Sequence, residues 1–480
     1  MNSPTPWRTG WPVMLFALAA LAGDRATAED YTELSGSEFR MRLRNEFRAE
    51  LVGDQTGQIV DQNDFDELLW LNFSTKGIGS PKLRTHFSGR FEDDLDNIEV
   101  LDEFADGRDA RLPGAGYARI YEGYFQIQDV WSDVNFTGGR QAVDGVVWPV
   151  RMDGARVDIN EIGPFSIAVF GGVNAGYRSS LPIRGIFGGQ LAAEPAEWLR
   201  LEFSNVYHIE NLFEVSLEGT LPERDFLDYF ASVRLLDDDG DELRAGIDFE
   251  IWKTGTSFFI EYTKVLSGGR QVFFDPTSYF DRATRLLRVP RLFLPVLAPS
   301  NDYFISIEQD LTRRNSLSLE YRRHEIADRH ETGFETSYHE ASIGLANRGL
   351  IPHLSADAEF LWHDGDRSTM QTPGFFDTFD EGETQYLEMN GGLSYRRGKV
   401  VCSWYGYYRI YDYVSQFVRF KGQEAWGTEI GVKWRVTDNT TFSLDYFFDD
   451  DLSEIAPDVK YTHAVFIGLE FKWGFSRRKP

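Results

Sequence analysis

Side chains able to run acid–base or nucleophilic chemistry are scarce in this sequence and badly placed for it. A serine or aspartate hydrolase needs an imidazole within hydrogen-bond reach of its nucleophile and a third group to orient the ring. None of the eight histidines accompanies a Gly-x-Ser-x-Gly elbow. His324-Glu325 and His339-Glu340 lack the second histidine that a zinc-protease helix requires. With His86, His208 and His363 they fall in extended-reading runs or at their rims, where a polar wall position is the simpler role. Cys402 is the single cysteine, which excludes an intrachain disulfide, a cysteine metal cluster and a Cys-x-x-Cys-His haem attachment. The expectation is a protein that is not an enzyme and needs no cofactor or metal.

Fixed charge at regular spacing is what the chain offers instead. From Phe39 the odd positions are Phe39, Met41, Leu43, Asn45, Phe47, Ala49 and Leu51, and the even ones Arg40, Arg42, Arg44, Glu46, Arg48 and Glu50. Charge at every second residue has the period of a strand, not of a helix. A strand with one charged and one apolar face needs water on one side and apolar matter on the other. Lys82, Arg84 and Arg90 stand opposite Leu83, Phe87 and Phe91 in the same way, and Lys433 and Arg435 opposite Val432 and Trp434. Cations aligned along an enclosed aqueous path lower its barrier for anions. Paired with Glu46, Glu50, Glu92, Glu429 and Asp445, the same cations would instead fill a wet interior.

The alternation recurs along the chain. It is clear at Leu199/Leu201/Phe203, at Leu243/Ala245/Ile247/Phe249, at Leu317/Leu319/Tyr321 and at Phe442/Leu444/Tyr446/Phe448. Connections alternate too, short at 76–80, 130–133, 161–164, 194–197, 253–256, 313–315, 396–399 and 437–440. They are long and polar at 53–64, 93–116, 145–152, 267–301, 327–336, 364–384 and 449–460. Short turns on one side and long loops on the other are the grammar of an outer-membrane β-barrel. Pairing runs with turns gives about 22 strands within a range of roughly 18 to 22, an even number as such barrels have; 212–219 reads equally as strand or loop. The final run, Tyr461 to Phe475, resembles the aromatic-ended closing strand of outer-membrane barrels, with Ser476 to Pro480 beyond its last aromatic. No run after the leader reaches the 18 apolar residues of a membrane helix, while aromatics are 15% of the chain, as lipid-facing girdles would require.

The leader itself runs from Arg8 through the apolar stretch Trp11 to Gly23 to Ala26-Thr27-Ala28, the order of a secretory signal. Cleavage after Ala28 would leave 29–480 as one domain, since no Pro- or Ser-rich linker divides it. A net charge of −27 argues against a nucleic-acid partner. Acidic clusters such as Asp237-Asp238-Asp239 and Asp449-Asp450-Asp451 read as solvated loop tips, or as sites bridged by divalent cations to anionic lipopolysaccharide.

Gly139-Arg140-Gln141, followed by Asp153-Gly154-Ala155-Arg156, resembles a feature of alginate-export-type outer-membrane barrels. In that family a strand with Gly-Arg-Gln leads through an inward-folding loop to Asp-Gly-x-Arg. The resemblance implies that Arg140, Asp153 and Arg156 line a constriction and that a polyanion passes it. The intervening Val146-Val147-Trp148-Pro149-Val150 is more apolar than such a path would favour. Arg140 and Arg156 paired with Asp153 or Asp158 would merely hold the loop.

The sequence therefore predicts an all-β, transmembrane antiparallel β-barrel in the outer membrane of a Gram-negative cell, passing a polar, anionic solute or a polysaccharide by diffusion. Its expected pore-lining residues are Arg40, Arg42, Arg44, Arg84, Arg90, Arg140, Asp153, Arg156, Lys433 and Arg435. Segments 93–116, 139–156 and 267–301 are expected to narrow the path. Outer-membrane lipid, lipopolysaccharide, a small anion or polyanion and a periplasmic protein are the partners this reading allows. The alternative is a sheath around a haem electron-transfer partner.

Overall fold

The computed structural model of the chain describes residues 38–53, 64–78, 80–94, 117–131, 133–143, 150–175, 185–207, 211–221, 227–236, 239–266, 299–326, 337–365, 369–370, 379–380, 384–414, 419–450 and 461–476. The leader with its cleavage position, and most of the long connections, lie outside the described residues. Among the described residues all regular structure is strand, as the period-two pattern requires.

The first half of the chain forms β1 (Glu38–Gly53), β2 (Asp64–Lys76), β3 (Leu83–Asp94), β4 (Tyr117–Ile127), β5 (Val134–Val143), β6 (Val150–Ile162), β7 (Phe165–Asn174), β8 (Gly185–Ala196), β9 (Leu199–Tyr207), β10 (Asn211–Thr220), β11 (Leu227–Leu236) and β12 (Asp239–Ile251). The second half forms β13 (Thr256–Val265), β14 (Ser300–Thr312), β15 (Asn315–Ile326), β16 (Tyr338–Ile351), β17 (Leu354–Gly365), β20 (Thr384–Arg397), β21 (Val400–Val414), β22 (Arg419–Arg435), β23 (Thr440–Asp449) and β24 (Tyr461–Ser476). Two short strands, β18 (Thr369–Met370) and β19 (Phe379–Asp380), pair with each other outside the main sheet.

Each main strand pairs antiparallel with its neighbours in sequence, β17 pairs with β20, and β1 pairs with β24 from Glu38 opposite Ser476 to Gly53 opposite Tyr461. The sheet is closed, antiparallel and 22-stranded. Segment 212–219, ambiguous by pattern, is strand β10. Residues 150–152, expected in a loop, already belong to β6. A turn the pattern did not mark lies at Pro352-His353, where His353 takes a φ of 75°.

Continuous register fixes which face each side chain takes. Val169, Phe187 and Met389 lie on one face at 51, 54 and 55% exposure, whereas Phe170, Ile186 and Glu388, one residue away on the other face, are at 6, 2 and 4%. Side chains splay apart on the convex side of a closed sheet and crowd together on the concave side, so the exposed apolar face is the outside. With strands about 4.8 Å apart and tilted about 40°, 22 of them enclose a ring about 40–45 Å across at the backbone.

Candidate functional site

The closing seam collects the cations. Arg40, Arg42 and Arg44 alternate along the inner face of β1, opposite Gly474, Lys472 and Glu470 of β24 and opposite Ser74, Asn72 and Trp70 of β2. Glu470 accepts from Arg42 and lies 2.7 Å from Lys472 Nζ, while Arg44 pairs with Glu46 and Arg40 with Glu38. Arg84 follows on the inner face of β3 opposite Lys76, and Lys433 and Arg435 on β22. Those last three expected pore residues make no ion pair with any described residue. Arg90 lies over the Trp70 ring at 5.2 Å.

Beside this wall, β5 and β6 part from β4. The β4–β5 ladder ends at Gly123 opposite Arg140, whereas β5 and β6 stay paired up to Val143 opposite Val150. Past the end of the β4–β5 ladder the paired ends of β5 and β6, up to Val143 and Val150, lie against the inner side of β4. Arg140 Nη1 donates to the Ile120 carbonyl at 3.0 Å, and the Arg151 guanidinium sits 5.9 Å from the Tyr121 ring. Tyr121 occupies a bulge against β3 and stacks on the inward Trp70 at 5.7 Å. On the tip's other side Val143 and Met152, both fully buried, join Phe170, Ile186, Val206 and Leu212 in an apolar cluster on the inner face of β7–β10.

Glycine makes this fold of the sheet sterically possible. Gly139 has a φ of +124°, and a Cβ there would lie 2.3 Å from the Gly123 carbonyl oxygen. A Cβ on Gly154 would lie 2.2 Å from the Gly171 carbonyl oxygen, and one on Gly172 2.4 Å from that of Asp153. These backbones approach more closely than any residue with a Cβ allows.

The three residues carried over from the family resemblance do not gather into one cluster. Arg140 forms a bidentate pair with Asp153, Nε to Oδ1 at 2.7 Å and Nη2 to Oδ2 at 2.6 Å. Arg156 lies on the opposite face of the hairpin and donates to Asp158 Oδ1 at 2.7 Å. Period two forces this: 153 and 156 differ by an odd number, so they cannot share a face of one strand. The side chains of Arg48, Glu50 and Glu92 and segment 267–298 lie outside the described residues.

No known family's sequence profile matches the chain, and no curated protein matches it in sequence. Solved structures with a similar chain course include Acinetobacter baumannii OccAB2, at 12% identity and a TM-score of 0.45 over 92% of this chain and 98% of that one. Pseudomonas aeruginosa OccK1 (OpdK) has 9% identity and a TM-score of 0.41 over 92 and 99%. The translocation pore of the P pilus usher PapC has 9% identity and a TM-score of 0.41 over 90 and 99%. At such identity and overlap these likenesses decide neither solute nor mechanism.

Away from the seam the inner face changes character. Across β14–β21 it carries a ladder of rings and ions, beginning with His324 Nδ1 2.9 Å from Asp302 Oδ1. His324 stacks on Tyr338, Tyr338 meets His363 at 4.9 Å, and His363 stacks on Tyr386 at 4.6 Å. Arg409 then covers Tyr386 and is held by Glu388, Nε to Oε2 at 2.8 Å and Nη2 to Oε2 at 2.7 Å. The histidines expected to fill the wall at 324 and 363 do so, and His86 contacts Glu122 at 3.0 Å.

Trp70, Tyr121, Arg151, Glu388, Arg409, Glu470 and Lys472 were not singled out by sequence. Trp70 stands in the run Leu68-Leu69-Trp70-Leu71, where apolar residues occupy both faces and erase the alternation. Lys472 and Glu470 alternate visibly, but their partner Arg42 is 428 positions away from Glu470 and meets it only on closure.

Proposed function

We propose that the protein is a passive outer-membrane pore, not an enzyme, and that it conducts small polar solutes with a preference for anions. The observation that carries this reading is the division of one closed sheet into an exposed apolar outer face and a charged inner face. Such a wall suits lipid outside and water within, with no open sheet edge left to satisfy. Arg40, Arg42, Arg44, Arg84 and Arg90 on the inner face, with Lys433 and Arg435, form the side along which anions would travel, because fixed charge offsets the cost of shedding water. Arg140 and Asp153 belong to this reading as the pair that holds the end of the β5–β6 hairpin against β4, with narrowing of the path as its consequence, and Arg156 as a wall residue paired with Asp158.

Short turns mark the periplasmic end in barrels of this kind, which would place both chain ends in the periplasm. Lipopolysaccharide at the acidic loops and a protein at the periplasmic mouth are compatible partners. Planar-bilayer recording under a salt gradient tests the proposal. Discrete conductance steps with a reversal potential on the anion side are expected; cation preference refutes the anion path, and absence of conductance refutes the pore.

A further inference from the structure

At the short-turn end of the seam the inner wall contains a cavity of about 380 Å³. Arg40 and Arg42 of β1, Asn72 and Ser74 of β2, His86 of β3 and Lys472 of β24 line it beside Met41, Phe73 and Trp473, and Asn439 of the β22–β23 turn borders it. Its lining includes three permanent cations and no carboxylate. Lys76 and Arg84, paired across β2 and β3, extend the same end of the wall and have no ion pair among the described residues.

Five permanent cations thus converge where three carboxylates stand: Glu38 on Arg40, Glu470 shared by Arg42 and Lys472, and Glu122, which meets His86 and none of the five. The guanidinium of Arg42 and the ammonium of Lys472 remain about half open to solvent, so a solute can reach them without breaking Glu470 away. Asn72, Ser74 and Asn439 supply uncharged donors at the same place, the mixture a bound oxyanion needs once its charge is met. A cavity of this size falls at the small end of ligand sites.

Building on the pore reading, we infer that this cavity is a binding site for a small dianion, a phosphate or dicarboxylate, at the short-turn mouth. Two surplus positive charges select a doubly charged solute over chloride or a monocarboxylate. Glu470 acts as a positioning residue: by holding Arg42 and Lys472 together it sets how much of their charge the solute sees.

The test uses the whole purified protein in bilayers, with phosphate, succinate, acetate or chloride added to one chamber at a time. Orientation is read by blocking a thiol introduced as Asp438→Cys in a Cys402→Ser background. Phosphate or succinate from the short-turn side is expected to cause brief current blocks at concentrations at least about tenfold lower than from the loop side, and than acetate from either side. Whether phosphate or succinate binds more tightly distinguishes the two dianions. Arg42→Gln with Lys472→Gln should weaken block about tenfold or more, Glu470→Gln should strengthen it, and Arg313→Gln on a distant turn should leave it unchanged.

Equal block from both sides, or block indifferent to Arg42 and Lys472, overturns the site while leaving the pore standing. A protein that conducts nothing overturns the pore, and equilibrium dialysis of phosphate against the detergent-solubilised protein then decides the site alone. Binding lost in the double variant supports the site, and binding retained refutes it. Unaltered heat-modifiable mobility on gels verifies that the variants are folded.

Discussion

The wall at the closing seam and the wall across β14–β21 share one strand grammar and treat charge in opposite ways. At the seam Arg40 and Arg42 keep 77 and 51% of their side-chain surface open, and each meets a carboxylate at one edge. On the far wall Arg409 keeps 10% and its partner Glu388 5%, with Tyr386 stacked against the guanidinium. Enclosed charge that is fully caged holds the sheet together; charge left in water is available to a solute. The division of labour lies in the neighbours, because the far-wall strands supply rings at alternate positions where β24 supplies Gly468 and Gly474 and β2 supplies Asn72 and Ser74.

Removing one ion from each wall should break the comparison most sharply. Arg409→Leu leaves Glu388 buried without its counter-charge, a change that typically costs about 3–5 kcal/mol. A lower denaturation temperature in detergent is expected, with little change in ion preference. Arg42→Leu removes an exposed partner worth about 0–1 kcal/mol; thermal stability should hold while anion preference falls. Equal destabilisation by both variants would show that the walls do not differ in kind.

Charge reversal addresses the same contrast through conduction. Arg40→Glu, Arg42→Glu and Arg44→Glu together are expected to move the reversal potential from the anion to the cation side. Glu320→Gln with Glu359→Gln on the far wall should strengthen the anion preference by a smaller amount. Both effects should be large near 0.1 M salt, where charge reaches about 10 Å, and nearly vanish at 1 M, where it reaches about 3 Å. An unchanged reversal potential in the triple variant would reduce those arginines to wall filling.

Much of this architecture was legible in the chain because period two is local. Arg40/Arg42/Arg44 against Met41/Leu43 declares a strand, its two faces and its need for two media within a few residues, and repetition between alternating short and long connections implies closure. What escaped reading depends on positions far apart. Glu470 and Lys472 become partners of Arg42 only after the last strand meets the first. The β5–β6 tip escaped for another reason: Gly139, Gly154 and Gly172 look like weak strand residues until their backbones are seen to touch. Arg140, Asp153 and Arg156 were grouped by resemblance, although strand parity alone separates 153 from 156.

Hydroxyl deletion at the border of the two walls, where Tyr407 of β21 reaches Asp449 of β23, is a milder probe of the same contrast. The Tyr407 hydroxyl donates to Asp449 Oδ1 at 2.6 Å, and both residues are buried. Tyr407→Phe removes one hydrogen bond from the buried Asp449 carboxylate, for which about 1–3 kcal/mol is expected in denaturation. Conductance should be untouched, since both groups are buried against each other and neither is open to a solute.

The smallest expected effect concerns the end of the β5–β6 hairpin held against β4. Arg140 makes three contacts at once, two to Asp153 and one to the Ile120 carbonyl, which only a planar fork can do. Arg140→Lys keeps the charge and can satisfy Asp153 or the carbonyl, but not both. Because the guanidinium is only about a third exposed while Asp153 is more open, the loss should be about 1 kcal/mol or less. Stability is therefore a poor reporter, and current noise is a better one: a tip released from Ile120 should flicker between two conductance levels that the native pore does not show. If the lysine variant is as quiet as the native protein while Gly154→Val prevents assembly, the tip is held by the close approach of its glycine backbones and by the Val143–Met152 cluster, and the arginine serves only to neutralise Asp153.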